Sequence, residues 1–126
     1  MNALAALKSY SNNKWTAEVQ DQSPEQLIYL LLQKACELLL RSEQCLREKN
    51  LEEFHESTTH CMQIVVALRG LLDFEKGGDV ATQLANTYDA INSAIFGAKR
   101  RRSEEDVHKL YLALSELKEG WTSIGK

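Results

Sequence analysis

The sequence predicts an all-α domain, an antiparallel up-down four-helix bundle with a short N-terminal helical arm, from its sparse punctuation, the spacing of its apolar residues and its short connections. One proline and six glycines in 126 residues are too few to separate seven or more strands with turns. Leu, Ala, Glu, Gln and Lys, which lose least on entering a helix, dominate the chain, with nineteen leucines among them. A chain of this length forms one domain and buries roughly two-thirds of the surface its unfolded form exposes.

Ser23-Pro24-Glu25-Gln26 opens the first long helix. The Ser23 hydroxyl accepts the Gln26 backbone N–H, the Gln26 side chain reaches back to Ser23, and Pro24 takes the first helical position, where its missing N–H costs nothing. From Leu27 to Leu46 twelve apolar residues cover more than the ~100° stripe of a surface helix, so this helix has two apolar faces to hide. Asn50 caps the second helix, with Glu53 at its third position and Phe54, Cys61, Ile64, Val65, Leu68, Leu71 and Leu72 at helical spacing. Gly77-Gly78 is read as its stop.

The third helix carries Val80, Ala81, Leu84, Ala85, Tyr88, Ile91, Ala94, Ile95 and Ala98. Asp79 stands at its positive pole and Lys99 to Arg102 at its negative pole, each favourable to the helix dipole. Ser103 then caps a fourth helix through Val107, Leu110, Tyr111, Leu114, Leu117 and Trp121. The expected spans are 24–49, 51–76, 79–101 and 104–121, and their short connections force antiparallel neighbours. Residues 1–22, with Leu4, Leu7 and Tyr10 at three-residue spacing, form a separate arm, and 23–126 the bundle domain.

Several functions are disfavoured at this level. The charge balance, 15 Lys and Arg against 18 Asp and Glu for a net −3, argues against broad nucleic-acid binding. No uninterrupted apolar run approaches the ~20 residues of a spanning helix, so no membrane insertion is expected. Lys8 interrupts the apolar start before a signal-peptide core forms, and the expected location is cytoplasmic. Three cysteines, Cys36, Cys45 and Cys61, are an odd number and read as core residues rather than a disulfide framework.

No cofactor or metal is expected: no cysteine pair has zinc-site spacing, and His55 and His60, five apart, diverge by about 140° on a helix. No nucleophile elbow, phosphate loop or metalloprotease pair is present, so the reading is non-enzymatic. Lys99-Arg100-Arg101-Arg102 is the one concentrated charge; it reads as a helix end, with a small nucleic-acid-binding regulator as the alternative use. A homodimeric scaffold is the other alternative, the surplus apolar face meeting a copy of itself. Trp15 and Trp121 are either interface anchors or lids over the core.

Leu68-Arg69-Gly70-Leu71-Leu72-Asp73-Phe74-Glu75-Lys76-Gly77-Gly78-Asp79-Val80-Ala81, followed by Leu84 and Tyr88, resembles the signature of the flagellin-specific export chaperones, the FliS family. Tyr10 precedes Ser23-Pro24-Glu25-Gln26-Leu27-Ile28 by the interval seen in that family, and Glu119-Gly120-Trp121 resembles its usual ending. The chain departs from the pattern at Leu32-Gln33-Lys34, at Thr87 and Ala90, and in its basic run, as a divergent member would.

The resemblance implies a cytosolic chaperone that holds the disordered C-terminal segment of flagellin, prevents premature polymerisation and delivers the subunit to the flagellar export machinery. Its expected client-binding residues are Leu27, Ile28, Leu31 and Leu32 on the first long helix and Leu84, Tyr88, Ile91 and Ile95 on the third, with the competing reading that all eight are core. Leu7 and Tyr10 of the arm are expected to cover a groove in the free protein.

Overall fold

A computed structural model describes residues 23–124, with side chains to residue 121, as four helices: α1 (Pro24–Arg47), α2 (Leu51–Gly70), α3 (Phe74–Arg101) and α4 (Glu104–Ile124). The arm, with Leu4, Leu7, Tyr10 and Trp15, lies outside the described residues. Local chemistry sets most boundaries. At the start of α1 the Gln26 amide donates to Ser23 Oγ at 3.3 Å and the Ser23 amide to Gln26 Oε1 at 3.2 Å, which completes the expected capping box. The Glu53 amide donates to Asn50 Oδ1 at 3.2 Å and the Asp106 amide to Ser103 Oγ at 3.1 Å, so both residues act as the predicted caps.

The α2–α3 connection differs from expectation. Helix α2 stops at Gly70, not 76, and Gly77-Gly78 falls inside α3 rather than at the end of α2. The cause is Asp73: its carboxylate accepts the Glu75 and Lys76 amides, each at 3.1 Å, and so starts a new helical turn before the glycines are reached. Leu68, Leu71 and Leu72 keep helical spacing across this junction, which hid the break in the sequence. Gly78, at φ 49° and ψ −125°, then breaks the helix, and regular winding resumes from Asp79. This left-handed backbone suits a residue without a Cβ.

The helices form an antiparallel ring in which α1 touches α2 and α4, and α3 closes the circuit between α2 and α4. Its polarity is fixed at several points. Arg47 pairs with Glu104 at 2.5 Å at one end of the α1–α4 seam, and Trp121 Nε1 donates to the Glu25 carbonyl at 3.1 Å at the other. Along α2–α3, Arg69 meets Asp89 at 2.8 Å, Asn92 Nδ2 donates to the Met62 carbonyl at 3.2 Å, and Lys99 Nζ donates to Thr59 Oγ1. Exposed ion pairs of this kind contribute little to stability, about 0–1 kcal/mol each. Apolar burial carries the fold.

The centre is packed by Leu31, Leu39, Phe54, Ile64, Leu68, Ile95 and Leu114, each no more than 2% exposed. Cys36, Cys45 and Cys61 are free thiols buried among them, and burial pushes the Cys61 thiol up, so it stays protonated and packs as a small apolar group. The α1–α2 seam also encloses a hydroxyl pair, Ser42 and Ser57, 2.6 Å apart. The two apolar faces expected of α1 are both used: one packs on α2 and the other on α4. The leucine surplus of α1 is therefore consumed mainly inside the bundle, with Tyr29 and Leu40 left as its exposed large apolar residues.

Candidate functional site: an apolar groove at one end of the bundle

Helices α3 and α4 form the loosest of the four helix pairings. Helix α3 buries Ala81, Ala85 and Ala98 beside Tyr88, Ile91 and Ile95, so part of its inner face is made of side chains too short to fill the space a leucine would. Near the start of α3 and the end of α4 the result is a groove of about 430 Å³. Ile28 and Leu32 of α1 line it from inside the bundle. Leu68, Leu71 and Leu72 come from the end of α2 and its connection, Val80, Gln83, Leu84, Thr87 and Tyr88 from α3, and Glu116, Leu117, Gly120 and Trp121 from α4.

This lining is apolar except for its rim. Among the described residues of the lining Glu116 is the only carboxylate, and the Tyr88 hydroxyl, 5% exposed as a residue, is kept un-ionised because burial pushes its pKa up. The half-buried Trp121 ring is held in place by its Nε1 bond to Glu25. Such a cleft presents mostly apolar side chains. It offers area to an aliphatic or aromatic side chain, and about 25 cal/mol is gained for each Å² of apolar surface covered.

The structure separates the eight helix positions singled out in the sequence. Ile28, Leu32, Leu84 and Tyr88 line the groove together. Leu27, Leu31, Ile91 and Ile95 do not; they are buried in the core at 5%, 0%, 7% and 1% exposure, but so are Leu32 and Tyr88 at 1% and 5%, so the separation is one of position along the bundle rather than of burial. Residues 84, 88, 91 and 95 share one stripe of α3, but only its first half lies where the helices part. Leu7 and Tyr10 fall outside the described residues. Sequence reasoning did not select Leu71, Leu72, Val80 or Leu117 for the groove, and Trp121 was left between anchor and lid. The exposed Val80 beside Gly77-Gly78 was the one available signal.

A second depression, about 670 Å³, opens between α1 and α4 and is lined by Glu43, Glu104, Glu105, His108, Lys109 and Leu112. Its polar groups engage one another: His108 Nδ1 lies 3.1 Å from Glu43, Lys109 lies 3.4 Å from Glu105, and Arg47 holds Glu104. The basic run is partly engaged too. Lys99 bonds Thr59, Arg101 pairs with Asp106 at 2.9 Å, and the Arg100 guanidinium lies 6.0 Å from the Phe96 ring centre. Among the described residues no group of three His, Cys, Asp or Glu could hold a metal ion, and no helix is long and apolar enough to cross a membrane.

A helical bundle with a closed core and an apolar groove at one end has the form of a module that receives apolar side chains. Residues 6–126 match the family model of the flagellar protein FliS, and the chain belongs to that family. It is 28% identical to the flagellar secretion chaperone FliSB of Pseudomonas aeruginosa over 98% of both chains. It is also 28% identical to the flagellar secretion chaperone FliS of Salmonella typhimurium, over 98% of this chain and 93% of that one. The FliS of Vibrio cholerae is 24% identical over 94% of this chain and 88% of its own length. The protein is thus a flagellar secretion chaperone, and a nucleic-acid-binding role for the basic run is not favoured.

Proposed function

We propose that the chain binds the C-terminal segment of flagellin in the cytoplasm, anchoring it in the groove between α1, α3 and α4 and passing the subunit to the flagellar export machinery. The observation that carries this reading is the groove's lining: Ile28, Leu32, Leu84, Tyr88 and Leu117 converge on one cleft whose only carboxylate among the described residues is Glu116. An amphipathic helix docks into such a cleft through apolar anchors three and four residues apart. Leu27, Leu31, Ile91 and Ile95 act from behind, as the packed layer that holds the lining in position.

The energetics require more contact than the cleft alone supplies. Ordering a disordered segment costs about 1–2 kcal/mol per residue in backbone entropy. Coupled folding and binding therefore covers on the order of 1,000–3,000 Å². The groove acts as the anchor point, and further client turns lie along the bundle. The arm joins α1 at Ser23, five residues before Ile28, and we infer that its Leu7 and Tyr10 cap the groove in the free protein.

Co-purification with flagellin tests the assignment. The full-length subunit is expected to be retained and a subunit lacking its C-terminal segment to be lost; equal retention of both would sink this binding mode.

A further inference from the structure

We propose that the outer face of the α2–α3 seam is a second docking surface, separate from the groove, which takes an acidic amphipathic helix of a partner protein on an exposed apolar island beside unpaired cations. The register of the two helices places the island. Three cross-links run down the seam in antiparallel order: Lys99 Nζ to Thr59 Oγ1, Asn92 Nδ2 to the Met62 carbonyl at 3.2 Å, and Arg69 to Asp89 at 2.8 Å. On α2 they fall on a stripe of Thr59, Met62, Val66 and Arg69, and on α3 on one of Asp89, Asn92, Phe96 and Lys99, each with the three-and-four spacing of a single helix face. Phe96 therefore lies opposite Met62, and Val66 opposite Asn92, with a polar cross-link at either end. Val66 is 53% and Phe96 52% exposed, and Met62 between them is half-buried against the core. Single exposed apolar residues are ordinary, but an apolar island rimmed by polar contacts is the pattern of an interaction surface.

The charge around the island specifies the partner. Residues 61–72 and 90–102 contain no acidic residue, and between them they carry Arg69 and the whole basic run from Lys99 to Arg102. Arg69 is matched by Asp89 and Arg101 by Asp106. Lys99 bonds a hydroxyl, and the Arg100 guanidinium lies 6.0 Å from the centre of the Phe96 ring. Among the described residues neither of these two cations has a carboxylate within ion-pair distance, nor has Arg102. A helix C-terminus accounts for cations gathering there, but not for an exposed phenylalanine beneath one of them. An apolar strip with unmatched cations at one end complements a helix that carries apolar side chains three and four residues apart with carboxylates beside them. A nucleic-acid duplex would take the cations and leave Val66 uncovered. Met62, Val66 and Phe96 do not line the groove, so this surface stands independently of the client assignment and both sites can be filled at once.

The test titrates the full chain with a designed helical peptide that carries leucines three and four residues apart and glutamates beside them, and with the same peptide in which every glutamate is replaced by lysine. Methyl resonances of Met62, Val66, Ile28 and Leu84 report where each peptide sits. The acidic peptide is expected to move Met62 and Val66, to leave Ile28 and Leu84 in place, and to bind about tenfold more tightly than the lysine peptide. Phe96→Ser and Arg100→Gln, both at exposed positions, are expected to fold as wild type and each to weaken the acidic peptide about fivefold, whereas Leu112→Ser on the outer face of α4 leaves its affinity unchanged. Equal affinity for the two peptides, movement at Ile28 and Leu84 in place of Val66, or wild-type binding by Phe96→Ser or Arg100→Gln overturns the surface. A duplex oligonucleotide that binds as tightly as the acidic peptide overturns it as well, because the cations alone are then the site. Movement of Val66 on addition of the C-terminal segment of flagellin assigns the island to the client and removes the separate partner, while the groove is judged by Ile28 and Leu84 in the same spectra.

Discussion

Ile28→Asp is expected to leave a folded bundle that no longer binds flagellin. Ile28 is only partly buried and lines the cleft from α1, so in the free protein an aspartate there reaches water, and the stability loss stays near that of an ordinary partly exposed substitution, about 1 kcal/mol. Binding changes far more. The docked segment loses an apolar contact of roughly 1.5–3 kcal/mol and seals a carboxylate against apolar surface without a partner. Together these weaken affinity by at least about 100-fold, the equivalent of about 2.8 kcal/mol. Circular dichroism and a binding titration on one preparation separate the two effects.

Ile95→Asp is expected to do the opposite and unfold the chain. Ile95 is 1% exposed, beyond the reach of the groove, and packed in the central cluster with Leu31, Leu39 and Leu114. An aspartate there loses the isoleucine's packing and must either bury a charge or protonate without a hydrogen-bonding partner. The cost exceeds about 4–5 kcal/mol, a large share of the roughly 5–15 kcal/mol that holds a domain of this size. A lost cooperative melting transition is the expected readout; a folded Ile95→Asp protein with impaired binding would instead place this residue on the client surface.

That Ile28 and Ile95 act so differently could not be read from the sequence, where both belong to apolar stripes of equal quality. Helix boundaries set by side chains a few residues away were legible: Ser23, Asn50 and Ser103 cap as expected because the groups they satisfy are local. Asp73 was missed because Leu68, Leu71 and Leu72 keep the helical period through a real break, and periodicity outweighed a capping residue without other punctuation. The leucine excess of α1 was correctly seen as two apolar faces, but their destinations depend on which helices flank it. The groove depends on the parting of α3 from α4 and on the short buried side chains of Ala81 and Ala85 beside it, a difference in packed volume rather than in hydrophobicity. Leu84 and Tyr88 fall in the cleft and Ile91 and Ile95 in the core for that reason alone.

The central claim is that one cleft, lined by α1, α3 and α4, receives the client. Methyl resonances of the isoleucines, leucines and valines, followed while the C-terminal segment of flagellin is titrated in, test it most directly. The account predicts the largest changes at Ile28, Leu32, Leu84 and Leu117, with Val66 on the outer face of α2 and Leu112 on that of α4 unmoved. Changes concentrated at Val66 or Leu112, with the cleft methyls silent, would contradict it.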